Sequence, residues 1–193
     1  MSLPSPERRL LDRHSEVAFT LFDTAIGRCA LAWTGQGVST VRLPGRTSAA
    51  TVAAVASLLP RASLAVPPPE IVDVLQRIER LVAGRGADAL VDVPLDVSAV
   101  GDFERRVYVG ARGVLPGSTV TYGQLADRIG APGAARAVGR ALARNRFPLI
   151  VPCHRVVAAG HKIGGFSAPA GISAKRQMLV TEARWRHGGD ALW

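Results

Sequence analysis

Cysteine is scarce in this chain. Its 193 residues hold two, Cys29 and Cys153, far apart and outside any CxxC pair. That excludes a readable disulfide framework or thiolate zinc finger and points to a reducing compartment. No segment is apolar for long enough to span a bilayer, and the opening MSLPSPERRLLDRHSEVAF lacks the apolar core of about 7 to 15 residues that a secretory signal needs. The expectation is a soluble cytoplasmic protein with no membrane partner. Internal repeats and low-complexity tracts are missing as well. Acidic residues are short in one half only: residues 101–193 carry fourteen Lys plus Arg against five Asp plus Glu, whereas residues 1–100 balance ten against ten, so the formal charge of +9 belongs to the C-terminal half. A basic half beside a neutral one suggests an anionic partner, nucleic acid first and a membrane surface second; the plain alternative is a solvated arginine surface.

What is present is enough for a core. With 48% hydrophobic residues, 20 glycines and 13 prolines, the chain fits one or two small domains. VAFTLF, CALAW and VSTVRL are short β-rich runs separated by the turn clusters DTAIG and TGQG, the pattern of an antiparallel meander. EIVDVLQRIERLVAG sets Ile71, Val74, Leu75, Ile78, Leu81 and Val82 at helical spacing and stops at Gly84, so one amphipathic helix covers a sheet face. ALVDVPLDV offers a further strand. Near Ala99 to Gly101 the chain turns basic and helical, which sets the expected domain boundary there: 1–98 and 99–193. TVTYGQLADRIGAPGAARAVGRALARN then reads as a helix-turn-helix, with helices from about Thr121 to Ile129 and from Ala134 onward. The second helix combines small residues (Ala134, Ala135, Ala137, Gly139, Ala141) with arginines 136, 140 and 144 at every fourth position. Small residues let a backbone approach another surface closely, and the arginines give that surface charge; tight internal packing explains the same small residues.

LIVPCHRVVAAG, residues 149–160, puts a Cys and a His side by side in an apolar run. A metal site fails because adjacent residues cannot easily both face one ion and no second cluster completes four ligands. Free Cys is often simple core. Against that, His154 and Arg155 need partners inside an apolar segment, and cationic neighbours would lower the pKa of the thiol, as happens in a nucleophilic Cys.

PCHRVV, preceded by TYGQLA, AARAVGRAL and ARN and followed by GGFS and AKRQMLVTE, resembles the O6-alkylguanine-DNA alkyltransferases over about Phe103 to Glu182. The resemblance implies an α+β fold, with a small ribonuclease-H-like N-terminal domain and a C-terminal winged helix-turn-helix domain that binds DNA and carries the active site. It implies that Cys153 accepts the alkyl group from O6 of guanine, with O4 of thymine as a second candidate donor, irreversibly and once per molecule. His154 would deprotonate Cys153 through a water, and Glu182 would orient His154. Tyr122 would help rotate the nucleotide and donate toward N3, while Asn145 would join the recognition helix to the cysteine segment. Arg136 would fill the gap left by the flipped base. Thr121, Ala134 and Ala135 would meet DNA in the minor groove, and Ser167 would sit near guanine O6. The implied partner is double-stranded DNA containing O6-alkylguanine, bound by a monomer, with no cofactor and no metal; of the zinc ligands some relatives carry near the N-terminus, only Cys29 and His14 are candidates.

The chain departs from the family pattern at three points. Arg146 stands where proline usually follows the asparagine, Phe166 replaces a tyrosine, and GGFSAPAGISAK is two residues longer than the common GGYSGGLAxK. A rival reading is a non-enzymatic lesion-binding protein of the same fold, but such proteins carry another residue, commonly Trp, at the acceptor position. A transcription factor would need amide or arginine side chains aimed at major-groove base edges, which the Ala/Gly face does not offer.

Overall fold

The computed structural model describes residues 17–86, 88–166 and 171–187. The expected meander is there: β1 (Ala18–Thr24), β2 (Gly27–Thr34) and β3 (Gly37–Arg42) pair antiparallel. The β2–β3 turn demands glycine, because Gly37 has φ 126° and a Cβ there would lie 2.5 Å from the Pro94 carbonyl oxygen. Two elements were not anticipated. Helix α1 (Ser48–Leu58), N-capped by Thr47 Oγ1 accepting from Ala50 N, buries Thr51 and Val55 against the sheet. Strand β4 (Ser63–Leu64) then returns parallel to β1, giving the order β3-β2-β1-β4.

Helix α2 (Pro69–Val82) follows the spacing read from the sequence. Ile71, Val74, Ile78, Leu81 and Val82 are buried, Leu75 packs at the margin, and the chain leaves the helix before Gly84. ALVDVPLDV, however, is not a strand. It touches β3 through one isolated bridge, Val38 to Leu95, with Val38 N donating to Pro94 O and Asp96 N to Val38 O. Pro94 supplies no donor, and Leu90 sits at φ 53°, so a regular ladder cannot continue. The segment is fastened by side chains instead. Arg77 of α2 pairs with Asp88 and Asp92, and Arg112 donates to the carbonyls of Leu90 and Val93.

The second half contains α3 (Asp102–Arg112), α4 (Tyr122–Arg128), α5 (Ala135–Ala143) and α6 (Gly171–His187), with β5 (Val120–Thr121) pairing parallel to β6 (Val156–Val157). Thr121 closes a capping box with Gln124 at the start of α4. Gly130 and Gly133, both at positive φ, turn the chain into α5 as the helix-turn-helix reading requires. One hydrophobic cluster joins Leu31 and Val41 of the sheet to Ile78 of α2 and to Val138, Phe147, Ile150 and Val156. Among the described residues, no helix is long and apolar enough to cross a membrane.

Arg77→Met is expected to lower the unfolding free energy by about 1–2 kcal/mol, read from urea midpoints at neutral pH. Asp92 is held down to about 2 and Asp88 is also lowered, each chiefly by its bond to Arg77. Their contribution is present above the unfolded carboxylate range near pH 4, so the difference between wild type and variant should vanish as pH falls toward 2.

Candidate active site

The segment that follows α5 is shaped by Asn145. Its Nδ2 donates to Val151 O at 2.8 Å and its Oδ1 accepts from Phe147 N at 2.9 Å, so one side chain ties the end of the helix to the run leading to Cys153. Leu149 adopts φ 76° within this loop. Pro152 then opens a 3₁₀ turn over Cys153–Arg155. The chain next enters β6, whose pairing with β5 brings the start of α4, and with it Tyr122, to the same wall.

His154 and Arg155 point inward, 1% and 0% exposed. Both meet Glu182 of α6. His154 Nε2 lies 2.9 Å from Glu182 Oε1, Arg155 donates through Nε and Nη2 at 2.8–3.1 Å, and Gly117 N adds a further donor at 3.1 Å. Arg155 Nη1 donates to Val114 O. Burial alone would raise the Glu182 pKa, but His154 and Arg155 outweigh it and hold it at about 2. A carboxylate only accepts, so the proton of the neutral imidazole sits on Nε2 and Nδ1 is free to take one. Burial keeps His154 below its ordinary range, although Glu182 pulls the other way.

Cys153 is partly exposed, on the wall of a cavity of about 320 Å³ lined by Tyr122, Gly139, Leu142, Gly165 and Phe166, a volume in the range of small-molecule sites. The expectation that cationic neighbours lower the thiol pKa needs correcting. Burial wins and pushes it up, while Asn145, Lys175 and backbone amides oppose that rise. Arg155 does not act on the thiol because its guanidinium is committed to Glu182 and Val114.

The cation that does act is Lys175, which the sequence reading passed over. It is 0% exposed, donates from Nζ to Val156 O at 2.7 Å, and lies 5.9 Å from the centre of the Tyr122 ring. Burial lowers it to about 8. A signal for it existed. Lys175, Met178, Leu179, Glu182 and Ala183 form the buried stripe of α6, at spacings 0, 3, 4, 7 and 8, and two charged residues within a helix's apolar stripe mark a site rather than a solvated face.

Of the other expected residues, Thr121 spends its hydroxyl on the α4 cap, Ala134 caps α5 half-buried, Ala135 opens its first turn, and Arg136 is exposed on that turn. Ser167 lies outside the described residues. The geometry brings together Cys153, His154, Glu182, Asn145 and Tyr122, a thiol, an imidazole and a buried carboxylate beside the helix pair α4 and α5.

Comparison with known proteins agrees. Residues 102–184 match the family model described as 6-O-methylguanine DNA methyltransferase, DNA binding domain. The fold superposes on Mycobacterium tuberculosis OGT, solved in complex with DNA, with a TM-score of 0.69 and 34% identity, over 87% of this chain and 94% of that one. Over 91 residues the chain is 47% identical to the methylated-DNA–protein-cysteine methyltransferase of Mycobacterium bovis, covering 47% of this chain and 53% of that one. It is 33% identical over 168 residues to the bifunctional transcriptional activator/DNA repair enzyme Ada of Escherichia coli, covering 86% of this chain and 46% of Ada. The chain thus spans about half the length of the curated relatives it matches. It belongs to the O6-methylguanine DNA methyltransferase family.

Glu182→Gln should cost about 3–5 kcal/mol in chemical denaturation, because Arg155 is left buried without its anion. The folded pKa of Glu182, about 2, lies below its unfolded value near 4.3. Its contribution is therefore whole above about pH 4.5 and lost as pH falls toward 2, a decline that the variant should lack.

Proposed function

We propose that this protein repairs DNA by moving a methyl or other alkyl group from O6 of guanine to Cys153. The observation that carries the reading is a partly exposed thiol on the wall of a base-sized cavity, next to a neutral imidazole whose other nitrogen is held by a buried carboxylate. His154 Nδ1 takes the thiol proton through a water, with Glu182 stabilising the imidazolium that forms. Lys175 and Asn145 favour the thiolate over the thiol. Sulfur attacks the alkyl carbon, the carbon–O6 bond breaks with its electron pair going to O6, and guanine departs neutral as Tyr122 relays a proton toward N3. The thioether has no route back, so each molecule acts once and needs no cofactor or metal.

The target base must leave the stack before an alkyl carbon can reach the thiol. In this reading α5 enters the minor groove, Arg136 fills the vacated space, and Thr121, Ala134 and Ala135 lie against the backbone with Ser167 near O6. Residues 1–98 then form a ribonuclease-H-like domain and 99–193 a winged helix-turn-helix domain, β5 and β6 contributing to the wing. The protein works as a cytoplasmic monomer.

Incubation with duplex DNA containing O6-methylguanine is expected to add one methyl mass per molecule, mapped to Cys153. Cys153→Ala should bind the duplex and gain nothing; methylation at Cys29, or several turnovers per molecule, would sink the mechanism. Arg136→Ala should slow transfer from duplex DNA by about tenfold or more, yet leave reaction with free O6-benzylguanine within about twofold, since a free base needs no extrusion. Equal losses on both substrates would point to a damaged pocket instead.

A further inference from the structure

The thiol borders a second cavity that the reading above does not use. This space, about 530 Å³, shares Cys153, Leu142, Ala143 and Phe166 with the first but extends toward β3 and α1, where Arg42, Arg144, Arg146 and Pro148 line it, Arg144 being paired with Glu104 at 3.7 Å. Geometry gives it a role. In the displacement, sulfur, carbon and O6 lie on one line, so anything larger than a methyl group must project sideways from that line, outside the space that holds the base. The room beside Cys153 is this cleft.

Its lining is chemically selective. Arg146 is fixed from behind, its carbonyl accepting from Val41 N and Thr40 Oγ1, both at 2.8 Å. The Nε atoms of Arg42 and Arg146 are buried and lack a hydrogen-bond partner among the described residues. Neither guanidinium forms an ion pair among those residues. Asp96, the acid that feels the charge of Arg146, has its carboxylate engaged by Thr34 Oγ1 at 2.9 Å and by Ser98 N and Oγ at 3.1 and 2.6 Å. Arg42 is held below its ordinary pKa by burial and by the charge of Arg146. Two partly buried like charges that line one cleft and act on each other are unfavourable until an anion joins them, and a carboxylate accepts from two guanidinium groups at once.

We propose that this cleft is the tail subsite for O6 adducts and selects those ending in a carboxylate, held between Arg42 and Arg146. The inference rests on Cys153 being the alkyl acceptor. For a carboxymethyl adduct the chemistry is unchanged: the sulfur–carbon bond forms, the carbon–O6 bond breaks, and the thiol proton balances the one guanine takes up. The carboxylate stays on the transferred group and remains in the cleft on the thioether.

The test compares the full chain on identical duplexes carrying O6-methylguanine, O6-carboxymethylguanine or the neutral isostere O6-carbamoylmethylguanine, with transfer to Cys153 followed by intact mass. Wild type should take the carboxymethyl group about tenfold or more faster than the carbamoylmethyl group, a comparison that needs no variant. Arg42→Met, Arg146→Met and Arg146→Pro, the last restoring the residue usual in the family, should erase that preference. Methyl transfer by the same variants should stay within about twofold of wild type. No preference in wild type, or a preference that survives all three substitutions, would overturn the tail subsite. Losses of equal size on all three duplexes would overturn it too, and would assign the arginines to a DNA phosphate or to the fold. Absence of methyl transfer by wild type would overturn the alkyl-transfer reading itself, and the tail subsite with it.

Discussion

A single buried carboxylate organises the second half of this protein. Glu182 accepts from an imidazole, a guanidinium and a main-chain amide, and these donors come from two separate stretches of chain, the turn before β6 and the loop before β5. The bonds lock α6 against both. Because the anion cannot donate, it dictates which imidazole nitrogen bears hydrogen, and because Arg155 satisfies its remaining lone pairs, it stays ionised in a place where burial alone would neutralise it. The orientation of His154, the direction in which Cys153 faces, and the parallel contact that carries Tyr122 all follow from that knot.

The sheet and the site are joined through β3. Its outer edge is not left as an open ladder: Val38 pairs with Pro94 and Asp96, and Val41 and Thr40 hold the carbonyl of Arg146. Covering an edge strand with irregular chain removes a template for aggregation. Here it does more, since one of the covering residues lines the cleft beside the thiol, so the N-terminal half helps to shape the space in which an adduct would lie.

How much of this was legible depended on period and chemistry. The meander and α2 could be read because alternation and the 3.6-residue spacing of Ile71, Val74 and Ile78 are strong local signals. Helix α1 was not, because SAATVAAVASL is apolar on every side and shows no stripe. ALVDVPLDV misled through its β-branched residues, while the features that break it, a proline in the ladder and carboxylates drawn toward Arg77, act only once α2 is in place. At the site, Cys153, His154 and Glu182 stood out by motif, and the structure brings them together. Lys175 went unnoticed although its helical register was informative. The direction of the thiol shift was misjudged because the sequence displays Arg155 next to Cys153 but not the carboxylate that turns it away.

That resting protonation state bears on how long the protein keeps its capacity in a cell. Thiolates react with peroxides and stray electrophiles, and neutral thiols do so far more slowly. A Cys153 thiol whose surroundings push its pKa up is less open to sulfenic acid formation and adventitious alkylation than a thiolate at the same partly exposed position. Under the single-use transfer proposed above, such chemical dormancy would set the fraction of the standing population whose Cys153 is still competent when an alkylated duplex is met.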